Sequence, residues 1–231
     1  MLLRKLVTVL TLALVAAGTV RAELLIRITE GADAAVPIAV VPFAEFGNIP
    51  AGDKLSTVVR SDLAMSGEFT PLPAAQMLSL PSKPEDVFFR DWPLLGLRYV
   101  LVGELARQGD RVSARYELFG VTAEERLLGE TAAAPASNLR SLAHHVSDKV
   151  YEAITGVPGA FSTKLAYVTL DKFNGKPRYR LQVSDVDGKR ARIRLESQEP
   201  ILSPAWSPDG KKLAYVSFET GKPVIFVHEL S

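Results

Sequence analysis

The residue types that most often carry chemistry are few in this chain and poorly spaced for it. There are three histidines, His144, His145 and His228. Adjacent helical residues point about 100° apart, so His144 and His145 do not converge on one ion. They read as a pair on the solvent side or fringe of a helix, and His228 as an ordinary strand residue. Ser184-Asp-Val-Asp-Gly188 has the look of a calcium loop. With Asp185 and Asp187 at the first and third ligand positions, however, Lys189 falls at the fifth with the wrong charge. A hairpin turn fits that stretch better. The chain has no cysteine, hence no thiol nucleophile and no disulfide framework. It has no Gly-x-Ser-x-Gly elbow, phosphate loop or dinucleotide fingerprint. Carboxylates are plentiful, but none has a helical or cleft setting suited to acid–base work. No catalytic, cofactor-binding or metal-ligating residue is assigned.

What the sequence does repeat is structural. Lys-Leu-Ala-Tyr-Val occurs at 164–168 and again at 212–216, an offset of 48 residues. Such an echo marks a modular array. The second copy follows Trp206, Ser207, Pro208, Asp209 and Gly210, a turn signature in which Pro presets φ, Asp bonds locally and Gly accepts positive φ. Trp206 reads as packing for the repeat. Short apolar runs alternate with turns at Asn174-Gly175, Asp187-Gly188 and Glu219–Lys222. Four short strands per unit at this length fit a propeller blade. Blade one spans about 161–198 and a partial blade two about 200–231. Propellers close with roughly four to eight blades, so the array is incomplete here and reads as part of a longer product.

The first 22 residues read as a secretory signal: Arg4-Lys5, an apolar stretch over Leu6–Ala17, and Val20-Arg21-Ala22 before a cleavage between Ala22 and Glu23. The apolar stretch is shorter than the ~20 residues of a membrane span. Cleavage removes three of the 27 Lys and Arg, leaving 24 against 26 acids, a net charge of −2. That is no footprint for nucleic acid. Residues 23–35 form a mature amino-terminal tail. Within it Glu23, Leu24, Leu25, Ile26, Arg27, Ile28, Thr29 and Glu30 read as extended, with Ile26 and Ile28 on one side, either as a free tail or as the first strand of the domain that follows, and a flexible linker begins at Gly31.

Residues 36–158 read as an α/β domain. Pro37–Phe43 is an apolar strand buried on both faces. Lys54–Ser66 has helix spacing, with Asp53 as N-cap, Gly67 as stop and Asp62 as the imperfect member of its apolar face. A short helix is expected over Ser82–Leu95, strands over Arg98–Glu104, Arg111–Phe119 and Arg126–Ala133, and a final helix over Asn138–Thr155. The fold class is thus a mixed sheet with about three helices, followed at 159–231 by the start of an all-β propeller.

The blade signature over 203–216 resembles the TolB family, periplasmic proteins of the Tol–Pal system of Gram-negative bacteria. So do Pro37–Phe43, Asp62–Phe69, Leu95–Gly103, Ala153–Phe161 and Leu181–Gly188, in that order. The resemblance implies a propeller of about six blades and a monomeric, non-enzymatic scaffold that meets membranes only through its partners. It implies that the propeller binds the outer-membrane lipoprotein Pal, and that the mature tail, here Glu23–Gly31, binds the C-terminal domain of TolA. It further implies a role in outer-membrane integrity and in division. A tail of this kind suits strand addition to a sheet edge. Two other classes compete. One is an exported prolyl-oligopeptidase-like peptidase, whose propeller shares Ser-Pro-Asp-Gly turns. The other is a solute-binding protein, for which no convergent polar pocket is evident.

Overall fold

A computed structural model describes residues 35–230. The signal segment and the tail Glu23–Gly31 lie outside the described residues. The order is β1 (Val36–Val40), β2 (Ala44–Phe46), α1 (Leu55–Met65), β3 (Phe69–Pro71), β4 (Tyr99–Gln108), β5 (Arg111–Gly120), β6 (Glu125–Pro135), α2 (Leu139–Thr155), then β7 (Lys164–Phe173), β8 (Lys176–Asp185), β9 (Arg192–Ser197), β10 (Ile201–Trp206), β11 (Lys212–Ser217) and β12 (Val224–Glu229).

The first six strands make one mixed sheet in the order β3-β1-β4-β5-β6, with β2 pairing alongside β4. β1 is parallel to β3 and β4, while β4–β5 and β5–β6 are antiparallel. Ile38, Ala39, Val40 and Val41 are all fully buried. This is the physical meaning of an unbroken apolar run: alternate side chains face different cores. Ile38 and Val40 join Leu101, Leu105 and the apolar faces of α1 and α2. Ala39 and Val41 join Val100, Val102 and Trp92 beneath the segment between β3 and β4. Each large aliphatic side chain so buried contributes about 1.5–3 kcal/mol.

That covering segment differs from the single helix expected over Ser82–Leu95. It is a series of 3-10 turns at Pro84–Asp86, Phe89–Asp91 and Pro93–Leu95. Proline opens two of them, at the position where its missing N–H costs nothing. A continuous helix through Pro93 would clash with and orphan the carbonyl four residues back.

The remaining strands form two three-stranded antiparallel sheets, β7-β8-β9 and β10-β11-β12. The first sheet has three strands where four were expected, and the second has the three of a partial blade. The two copies of Lys-Leu-Ala-Tyr-Val occupy different places: in β7 at a sheet edge, and in β11 between two neighbours. Aligned on the repeat, β10, then β7 or β11, then β8 or β12, then β9 fill four successive positions. The sheets share a small core of Leu181, Val183, Ile201, Leu213 and Tyr215. Their outer sides carry exposed Leu170, Phe173, Ile225 and Val227, the last two 72% and 64% accessible.

Candidate functional site

α2 ends at Gly156, and the chain enters β7 at Lys164. The connector between them is fastened to α2. Asp148 accepts the backbone N–H of Phe161 at 2.6 Å and of Ser162 at 3.1 Å. Phe161 packs edge-to-face on Tyr151, with centroids 5.8 Å apart, and Tyr151 does the same on Phe69 at 5.9 Å. Gly159 permits this approach, because a Cβ there would lie 2.5 Å from the Asp148 Cα.

Beside the connector lies a polar cluster joining three elements. From α1 comes Asp62, fully buried. Its carboxylate accepts the Ser147 hydroxyl at 2.6 Å and lies 2.8 Å from His144 Nδ1. From α2 come Arg140, His144 and Ser147. From the β8–β9 turn come Asp185 and Asp187. Arg140 bridges Asp53, ahead of α1, to Asp187, and lies 3.7 Å from Asp185. Asp185 also takes Lys164 of β7 and Arg190, the latter at 2.6 Å. Arg190 then reaches Asn138 Oδ1 at 2.6 Å and Ser141 Oγ at 2.7 Å, tying the turn to the first turn of α2.

Electrostatics fit this wiring. Burial alone would push the Asp185 carboxyl up, but the hydrogen bonds from Arg190 and Lys164 prevail and hold it below its usual range. Asp187 behaves alike: burial opposes, while the Lys189 backbone N–H and Arg140 hold it down. Asp62, His144 and Asp187 bring ligand-type atoms within 4.8 Å of one another. The guanidinium groups of Arg140 and Arg190 are bonded to the carboxylates of Asp187 and Asp185. The cluster is an ion-pair junction between the sheet domain and the first blade.

The sequence reading missed this junction. Asp62 is a polar partner at the helix contact where an imperfect apolar position was expected. His144 is 2% exposed, not on a solvent-side fringe. Asp53 does not cap α1: the residue before the helix is Lys54, which makes no side-chain cap bond, and Asp53 turns to Arg140 instead. A usable signal existed. Arg140, His144, Ser147 and Tyr151 recur at spacings of four, three and four, a single stripe beside the apolar face.

The second blade's turn is also fully wired. Ser207 Oγ donates to Asp209 Oδ1 at 2.6 Å and accepts the Lys212 N–H at 2.9 Å. Asp209 accepts the Lys211 N–H at 3.0 Å, and Gly210 sits at φ +69°. The Ser207 hydroxyl and the Lys211 N–H hold the Asp209 carboxyl low. Trp206 is partly buried against the blade core.

Comparison with known proteins assigns both halves of this architecture. Residues 24–127 match the TolB amino-terminal domain and residues 151–231 the TolB beta propeller domain. A Tol-Pal system protein TolB from Hahella chejuensis is 47% identical over 224 residues, 95% of this chain and 52% of that protein. One from Alcanivorax borkumensis is 49% identical over 91% of this chain and 48% of its own length. The crystal structure of TolB from Acinetobacter baumannii superposes with a TM-score of 0.76 at 41% identity, covering 86% of this chain and 48% of that one. The chain spans about half the length of the curated relatives it matches.

Proposed function

We propose a scaffold role for this chain, which belongs to the TolB family: a non-catalytic periplasmic link of the Tol–Pal system. The mature tail Glu23–Gly31 binds the C-terminal domain of TolA, and the propeller, of which this chain carries the first two sheets, meets Pal. The linkage serves outer-membrane integrity and division. The observation that carries this reading is the match of both the amino-terminal domain and the blades to one family. The amino-terminal match favours the scaffold over the peptidase, because Ser-Pro-Asp-Gly turns alone do not separate the two and residues 24–127 match the TolB amino-terminal domain.

The physical case for the tail rests on its pattern. The alternating sequence of Glu23–Glu30, apolar at Ile26 and Ile28, suits pairing through backbone groups with alternate side chains for selection. Gly31–Ala35 gives it reach, and such a segment can exchange between a docked and a released form under the bias of a partner. The ion-pair junction then has a mechanical role: it holds the domain that carries the tail and the domain that carries the blades in one orientation. Deleting 23–31 is expected to abolish calorimetric binding of the TolA C-terminal domain while leaving the circular dichroism and urea midpoint unchanged. Binding retained by a folded deletion variant would refute the reading.

A further inference from the structure

His144 lies at the centre of the junction with both ring nitrogens facing acids. Nδ1 is 2.8 Å from Asp62 Oδ2 on α1. Nε2 is 3.7 Å from Asp185 Oδ2 and 3.9 Å from Asp187 Oδ2, on the β8–β9 turn. An ionised carboxylate only accepts hydrogen bonds, and a neutral imidazole carries a proton on one nitrogen alone. A neutral ring would therefore aim a lone pair at a carboxylate in a site 2% exposed. The charge count agrees. The permanent cations here are Arg140, Arg190 and Lys164; the acids are Asp53, Asp62, Asp185 and Asp187. One positive charge is lacking, and a second ring proton supplies it.

We propose that His144 is held as an imidazolium and acts as a proton-dependent latch clamping the β8–β9 turn of the first blade to α1 and α2. It goes beyond the scaffold reading, since it concerns how the two domains are held and not what they bind. The groups facing the ring are Asp62 from α1, Arg140 and Ser147 from α2, and Asp185 and Asp187 from the turn. Lys164 of β7 and Arg190 reach it through Asp185, and Asp53 through Arg140. The turn carboxylates are held below their usual range, so they stay ionised wherever an imidazole titrates. With the proton favoured by the folded state, the latch is complete in mild acid and fails as pH rises.

Two measurements test this on the whole chain. Nitrogen-15 spectra of the wild-type ring at pH 7 should show both His144 nitrogens protonated; a neutral tautomer at that pH overturns the proposal. Urea unfolding from pH 5.5 to 9 should be compared with His144→Gln, which keeps His145 and His228. The wild-type advantage in the folded-to-unfolded ratio should be flat below about pH 6.5, where the unfolded chain also holds the proton. Above that it should fall by up to about tenfold per pH unit. Parallel curves overturn the latch. So does stabilisation by Zn2+ that His144→Gln removes, because it would reassign the cluster to a metal.

Discussion

Replacing Gly159 with Ala should loosen the connector between the two domains. The new Cβ would lie 2.5 Å from Asp148 Cα and 2.6 Å from Asp148 Oδ1, where ordinary contact begins at 3.4 Å. The nearest obstacle is helix backbone, so the connector is the part that moves, by about 1 Å in a close-packed setting. The Phe161 N–H to Asp148 bond starts at 2.6 Å and the Ser162 bond at 3.1 Å. A shift of that size takes one or both beyond hydrogen-bond range. Bonds to a charged acceptor are worth about 1.5–3 kcal/mol each, so the loss should be about 2–4 kcal/mol. Two tryptophans make the readout specific, since Trp92 is buried in the sheet domain and Trp206 lies against the blade core. In single-tryptophan variants, urea transitions that coincide in the parent should separate in Gly159→Ala. A variant within about 0.5 kcal/mol of the parent, with coincident transitions, would refute the reasoning, since surface changes away from such features stay in that range.

Two further expectations concern the junction. Asp62→Ala leaves His144 Nδ1 and Ser147 Oγ without their partner in a buried site and should cost about 3–5 kcal/mol in urea unfolding. In acid, Asp185 and Asp187, held below the usual carboxylate range, contribute stability that is complete above that range. This contribution is lost as pH falls through their lower folded-state values, and Asp187→Asn should flatten part of that acid slope.

The sheet domain was largely legible because its signals are local. An apolar run bounded by prolines became β1, and turn chemistry fixed the β4–β5 and β8–β9 hairpins. The 3-10 segment was not, because its prolines permit several short solutions and the choice is made by where Trp92 packs. The junction was hidden for a different reason. Asp62 and His144 are 82 residues apart, and each looks like a flaw in its own helix. Only the crossing of α1, α2 and the β8–β9 turn makes the pair complementary. Asp185 and Asp187 instead find their partners in Arg140, Arg190 and Lys164, which lie 21 or more residues away except for Arg190. The repeat revealed the blade array but not that its two copies sit at different strand positions.

The central claim places partner binding in the tail, and a peptide tests it most directly. A synthetic peptide of residues 23–31, with a free amino terminus at Glu23, should bind the isolated TolA C-terminal domain in calorimetry and compete with the mature chain for it. A peptide with Ile26 and Ile28 replaced by Ser should not. A TolA domain that binds the mature chain yet ignores the peptide would contradict the account.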